Sequence, residues 1–304
     1  MAAACPYQAR ISKLGASTRP RVLVPTSGSG NFGEQGASAF WTIDELPGAL
    51  RNMAEGRSGK SKDGMERVDV DLGPNRCAFT VDHILSGDEA DALAACAEAI
   101  LDANGHSRVA PGINTPPGIL GRATRDQFEG CMRVNEAAHW YPSREVAPQF
   151  LGVIFDRIKD LVPQHLENGL PLYPRLSEKV AQFKYNRGDA FNRHVDGLFP
   201  GQGANARGDG VEEWTGVVSG FSMLLYLNDY ESDGLEGGET RLWTADGSRH
   251  VDVRPKKGRA LCFRRGSPNA VLHAGLPVTG DVPKYMALIN LAYGEQVGTK
   301  PMMV

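Results

Sequence analysis

His194 and Asp196, an imidazole and a carboxylate two residues apart, are the best-placed chemical groups in this chain. They close the run Gln182-Phe183-Lys184-Tyr185-Asn186-Arg187-Gly188-Asp189-Ala190-Phe191-Asn192-Arg193, which reads as extended backbone. In a strand, residues i and i+2 point to the same face, so the two side chains converge on one point. Further on, Ala270-Val271-Leu272-His273-Ala274-Gly275 offers a second imidazole, and Lys284 stands eleven residues beyond it. Two imidazoles and one carboxylate on a single face suit a divalent iron ion and leave positions open for exchangeable ligands. A bare His-x-Asp is common, and by itself it reads as a surface or core histidine beside a carboxylate. The surroundings decide.

Those surroundings are ordered. After the pair come a hydrophobic run, Phe221 to Asn228, then Leu235-Glu236-Gly237-Gly238-Glu239-Thr240-Arg241-Leu242-Trp243. Val253-Arg254-Pro255-Lys256-Lys257-Gly258-Arg259-Ala260-Leu261-Cys262-Phe263 and the His273 segment follow. In this order the segments resemble the 2-oxoglutarate- and Fe(II)-dependent dioxygenases, most closely their prolyl 4-hydroxylase-like branch. The resemblance covers residues 76 to 296 and is strongest from 181 on. It implies that His194, Asp196 and His273 bind Fe(II), with 2-oxoglutarate and O₂ as co-substrates and ascorbate as a possible reductant. The products would be succinate, CO₂ and a hydroxylated C–H. Related halogenases lack the carboxylate ligand, so Asp196 favours hydroxylation.

The resemblance also implies a cation for the distal carboxylate of 2-oxoglutarate. Lys284 fits, on the strand Pro283-Lys284-Tyr285-Met286-Ala287-Leu288-Ile289-Asn290 with Met286 and Leu288 on its face. A lysine on an apolar face is costly unless paired. Outside this context it would read as a strand-end lysine snorkelling to water. Tyr226 matches a family position that hydrogen-bonds the same carboxylate. Tyr185 opens a Tyr-x-x-Gly-x-x-aromatic-x-x-His-x-Asp pattern and should face the co-substrate or the iron. Phe191 replaces a tyrosine often found in relatives. As isolated residues both tyrosines would read as core packing. On the substrate side, Arg133 and Asn135, in Arg133-Val134-Asn135-Glu136, resemble a strand that lines the site in relatives.

The elements that must position these groups change character along the chain. Ser86-Gly87-Asp88-Glu89 is a capping box, followed by Ala90, Leu93, Ala94, Ala97, Ile100 and Leu101 at helical spacing. Residues 105 to 125, with three prolines, read as an irregular loop, and 131 to 135 as a short strand. A second helix is expected over 144–161, with Pro148 near its start. After residue 180 short strands take over at 181–187, 220–228, 238–243, 259–264 and 283–293. Several are apolar on both faces, as strands inside a two-sheet structure must be. The fold class is therefore mainly β with supporting helices (α+β). The resemblance implies a double-stranded β-helix, or jelly-roll, core. Residues 76–180 form its helical support and 181–296 the catalytic core, together one domain. Gly197 to Gly220, Gly-rich and charged, reads as a lid over the site or as a surface loop.

Composition bounds the rest. A net charge of -3 gives no electrostatic case for nucleic acid or an anionic membrane. No apolar stretch approaches the length of a membrane span. Five cysteines, an odd number without C-x-x-C spacing, indicate neither a disulfide framework nor a zinc site. Residues 1–75 look different: Met1 to Gly33 contains no acidic residue but carries Arg10, Lys13, Arg19 and Arg21. Such a start reads as a disordered tail or a transit peptide, placing the protein in the cytoplasm or an organelle. Residues 51–66 read as a linker. The substrate expected first is a prolyl residue of a peptide or protein. Two alternatives stand beside it: a free amino acid or small metabolite, and a non-catalytic jelly-roll binding module.

Overall fold

The computed structural model describes residues 5–15, 20–23, 40–53, 64–103, 108–109, 135–208 and 210–295. In chain order, helix α1 (Pro6–Gly15) and strands β1 (Pro20–Leu23) and β2 (Phe40–Ile43) precede the single turn α2 (Gly48–Arg51). Strands β3 (Arg67–Asp69) and β4 (Ala78–Val81) lead into the long helix α3 (Gly87–Ala103). Next come β5 (Arg108–Val109), β6 (Asn135–Pro142), a π-helical turn at Pro148–Gly152 and a short helix at Val153–Ile158. The remainder is nearly all strand: β7 (Val180–Tyr185), β8 (Phe191–His194), β9 (Pro200–Ala204), β10 (Val211–Tyr226) and β11 (Thr240–Trp243). Strands β12 (His250–Val253), β13 (Ala260–Arg264), β14 (His273–Gly275) and β15 (Lys284–Gly294) complete it.

Two sheets result. The larger runs β1-β2-β6-β7-β15-β10-β13-β4-β3, with β5 added to β6 and β9 to β10; the smaller runs β12-β11-β14-β8. Strand alternation assigns each residue a side. Along β10, Phe221, Met223 and Leu225 join the core shared with the helices, while Leu224 and Tyr226 join the core between the sheets. Along β15, Tyr285, Ala287, Ile289 and Leu291 take the helix side. Lys284, Met286, Leu288 and Asn290 alternate with them and so face inward. The inter-sheet core draws Phe183, Leu224, Leu261 and Phe263 from the large sheet and Leu242 and Val253 from the small one. Strands apolar on both faces are thus explained: helices cover one side and the second sheet the other. This is the jelly-roll core expected from the sequence.

Helix α3 begins as the capping box requires. The Ser86 backbone N–H donates to Glu89 Oε2 at 2.7 Å, and the Glu89 N–H donates to Ser86 Oγ at 3.1 Å. Glu89 also accepts from Arg157 at 2.8 and 2.9 Å, which ties α3 to the Val153–Ile158 helix. The helix expected over 144–161 is shorter than that range, with residues 144–146 in a turn. Pro148 lacks an N–H and is accommodated in the first turn of the π segment.

Other expectations are modified. Of the N-terminal stretch read as tail or transit peptide, the described helix α1 packs on the body: Tyr7 and Ile11 are buried. Tyr7 Oη donates to the Leu227 carbonyl at 3.3 Å, and Arg10 pairs with Asp233 at 2.9 Å. Three buried positions, one of them a glycine, are too few to stand out as a periodic apolar stripe. Residues 197–220, read as a lid or loop, are largely a β-hairpin, β9 paired with the first half of β10. Gly201 and Gly203, on β9, are packing requirements rather than signs of a loop. A Cβ on Gly201 would lie 2.6 Å from Val217 Cγ1 and 2.8 Å from the Trp214 ring. The expected loop 105–125 falls mostly outside the described residues, as does most of the expected strand 131–135; β6 starts at Asn135. Among the described residues no helix is long and apolar enough to cross a membrane.

Candidate metal centre

His194 is the last residue of β8, and Asp196 lies just beyond the strand end. The extended run read over 182–197 is therefore broken. β7 stops at Tyr185, a turn with Gly188 at φ +83° intervenes, and β8 resumes at Phe191. The convergence expected from the spacing survives because β14 pairs with β8 and sets His273 directly opposite His194. One donor atom from each of His194, Asp196 and His273 lies within 4.8 Å of the others.

The hydrogen bonds fix which atoms point inward. His194 Nδ1 lies 2.7 Å from the Asn192 carbonyl oxygen, and His273 Nδ1 lies 3.1 Å from that of Val271. A carbonyl oxygen only accepts, so each Nδ1 carries the hydrogen and each Nε2 keeps a lone pair for a metal. Burial lowers the pKa of His273 against the opposing pull of Asp196, which favours the neutral, ligating form. For Asp196, burial alone would raise the pKa. The Arg265 guanidinium, the two histidines and the Ser222 hydroxyl outweigh it and hold the carboxyl well below its usual range. Phe191 stacks on His194 with ring centroids 3.6 Å apart, and Phe263 lies 4.3 Å from His273. Two imidazoles whose Nδ1–H groups are held by carbonyls and an ionised carboxylate, walled by aromatic rings, fit Fe(II).

A second group gathers deeper between the sheets. Lys284 opens β15 directly opposite Tyr185 of β7. Its Nζ lies 5.6 Å from the Tyr185 ring centroid and 5.3 Å from that of Tyr226. Tyr226 Oη donates to Thr240 Oγ1 at 2.7 Å, and Lys284 Nζ donates to the Gly238 carbonyl at 2.6 Å. Lys284 is 2% exposed. Burial pushes its pKa down to about 7, with Glu239 partly opposing. Among the described residues no carboxylate lies within ion-pair distance of this buried ammonium, which suits it to an incoming anion. The neighbouring lysines are committed elsewhere: Lys256 pairs with Asp82 at 2.7 Å and Lys257 with Asp91 at 2.5 Å.

Asn135 begins β6 and is fully buried. Ala137 pairs with Phe183, so strand alternation sets Asn135 on the same side of the sheet as Phe183 and Tyr185. Arg133 lies outside the described residues. The sequence reading missed Arg265, Ser222, Asn290 and Thr240. Ser222 and Asn290 had a legible signal, since each is a small polar residue on the inward face of an otherwise apolar strand. A cavity of about 720 Å³ is lined by Glu66, Asp82, Glu239 and Arg259 but by none of the three clustered donors.

Residues 180–292 match the family model described as the 2OG-Fe(II) oxygenase superfamily. The chain carries a domain of that superfamily. This oxygenase takes Fe(II) as cofactor and 2-oxoglutarate and O₂ as co-substrates. No curated protein matches its sequence. Among solved structures it is similar to a Pseudomonas putida prolyl-4-hydroxylase, at 22% identity over 70% of this chain and 91% of that one, with a TM-score of 0.45. It is also similar to a viral collagen prolyl hydroxylase from Paramecium Bursaria Chlorella virus-1 in its 2OG complex (18% identity, 72% and 96% coverage, TM-score 0.42). A third is the Trichoplax adhaerens prolyl hydroxylase in complex with a hypoxia inducible factor peptide fragment (16% identity, 81% and 89% coverage, TM-score 0.42).

Proposed function

We propose that His194, Asp196 and His273 hold the iron, and that Lys284, Tyr226 and Tyr185 hold 2-oxoglutarate. The oxygenase then hydroxylates an unactivated C–H, with prolyl residues of a peptide or protein as its first substrate class. Residues 76–296 act as one catalytic domain. The observation that carries the reading is the donor geometry. Two backbone carbonyls turn both Nε2 atoms toward Asp196, within a wall of aromatic side chains.

Iron with 2-oxoglutarate and O₂ supplies oxidative decarboxylation to succinate and CO₂, coupled to hydroxylation. The residues of the chain do the positioning. His194 and His273 stay oriented by their carbonyl partners, burial favours the neutral form of His273, and Asp196 stays ionised. Lys284 offers a charge to the distal carboxylate, which restores the ion pair that its burial denies it. Phe191 and Phe263 help to exclude water from the site. The prolyl assignment is supported by the segment order that resembles the prolyl 4-hydroxylase-like branch. Asn135, with Arg133, is assigned to the substrate side, and ascorbate is a candidate reductant.

The test is an anaerobic titration of purified protein with Fe(II) and then 2-oxoglutarate, watching the weak visible charge-transfer band of the chelate. The band should appear in the wild type, vanish in His194→Ala and weaken in Lys284→Ala. Proline-containing peptides, free proline and other amino acids then compete as substrates in a succinate assay. Turnover of the free amino acids alone would move the substrate class to small molecules. No band at any concentration would withdraw the metal reading.

A further inference from the structure

Arg265 follows β13 and is 1% exposed, so its charge must be met inside the protein. Nε and Nη2 donate to the Gly197 carbonyl at 3.0 and 2.8 Å. Nη1 donates to Ser222 Oγ at 3.2 Å and to Asn290 Oδ1. The Phe199 ring covers the guanidinium at 5.1 Å. Having accepted from Arg265, the Ser222 hydroxyl spends its single hydrogen on Asp196 Oδ2, at 2.5 Å. A guanidinium cannot accept, so the direction Arg265 to Ser222 to Asp196 is fixed. The backbone around the carboxylate is held as well. Gly197 accepts from Arg265, and the Gly266 N–H donates to the Asp196 carbonyl at 3.0 Å.

The two carboxylate oxygens of Asp196 therefore have different surroundings. Oδ2 is engaged by Ser222, while Oδ1 lies 3.8 Å from His194 Nε2. An unrestrained carboxylate can donate to a metal through one oxygen or chelate through both. Chelation would close one of the positions that the co-substrate and O₂ need.

We infer that Arg265 and Ser222 are positioning residues that confine Asp196 to one-oxygen donation. The inference rests on the metal reading above and deepens it. Asn290 extends the effect, because it shares the inward face of β15 with Lys284. One strand thus carries both the brace behind the carboxylate and the co-substrate anchor.

Co(II) added to the metal-free protein tests this without turnover, since its visible spectrum reports coordination number and its titration gives affinity. Ser222→Ala leaves the bonds of Arg265 to Gly197 and Asn290 in place and frees only Oδ2. Its Co(II) affinity should fall by about 10–100-fold, its spectrum should change, and Ser222→Thr should restore both. Should the Ala variant not fold, Arg265→Lys keeps the charge without the fork, and the same loss is expected. Wild-type affinity and spectrum in whichever of the two variants folds would overturn the inference and leave the metal site standing. A wild-type protein that binds no Co(II) would remove the metal site and this inference with it.

Discussion

His194 and His273 face each other as directly paired residues of β8 and β14, with ring centroids 4.1 Å apart and planes inclined at 53°. The second imidazole is therefore placed by sheet register rather than by a loop. A one-residue slip of β14 would turn His273 to the opposite face. The two strands are also short, so the register depends on their neighbours, with β11 pairing Leu242 to His273.

His273→Ala should lower affinity for Fe(II) or Co(II) by more than about 100-fold, beyond the range typical of groups that only support a ligand. Turnover should fall with it, while the melting temperature of the metal-free protein changes little. Metal titration and thermal unfolding of the same preparation provide the check. Unchanged metal affinity would exclude His273 as a ligand.

Glu89 makes a structural prediction away from the site. It is 1% exposed, receives two bonds from Arg157 and closes the α3 capping box. Removing one partner of such a buried pair typically costs about 3–5 kcal/mol. Glu89→Ala should therefore lose stability of that order in urea unfolding. Activity per folded molecule should remain, since Glu89 bonds Ser86 and Arg157 at the start of α3 and not the clustered metal donors. A loss below about 1 kcal/mol would mean that Arg157 is better solvated than its burial implies.

The sequence made legible what depends on periodicity and local chemistry. The Ser86 and Glu89 cap, the doubly apolar strands and the His194 and Asp196 pair all announce themselves within a few residues. What it concealed depends on contacts between distant segments. Arg265 directly follows another arginine, yet the two go opposite ways: Arg264 reaches Glu167, whereas Arg265 turns inward. Nothing local separates the two. The β9–β10 hairpin was hidden for a related reason. Its glycines read as loop, although Gly201 makes room for Trp214 and Val217 and Gly203 for Trp214. Helix α1 was missed because its buried face is only Tyr7, Ile11 and Gly15.

Tyr226 separates a packing role from a binding one. Its ring lies in the inter-sheet core, and its hydroxyl donates to Thr240 in a fully buried setting. Tyr226→Phe keeps the ring and should cost about 1 kcal/mol of stability. If the hydroxyl also meets 2-oxoglutarate, the KM for 2-oxoglutarate should rise several-fold while kcat with saturating co-substrate is preserved. Thr240→Val removes the acceptor but keeps the hydroxyl available, so it should raise that KM less. Equal effects from the two variants would place the role of Tyr226 in packing alone.

Lys284 carries the pH dependence. Burial holds its pKa near 7 in the ligand-free protein, well below the usual lysine value. Between pH about 7 and that usual value the unfolded chain keeps a proton that the folded chain has released. Stability of the ligand-free protein therefore rises with pH across this window, and the cost of the buried ammonium is fully present below it. Lys284→Met should raise the melting temperature at pH 7 and below, with the advantage shrinking as pH increases. A dicarboxylate needs the charged lysine. The affinity of the wild type for 2-oxoglutarate should therefore be flat below pH about 7, then fall toward about tenfold per pH unit above it as a proton must be taken up. Thermal shift with and without 2-oxoglutarate, measured across that range for both proteins, reads all of this at once. An affinity independent of pH, or a Lys284→Met variant still stabilised by 2-oxoglutarate, would place the anchor elsewhere.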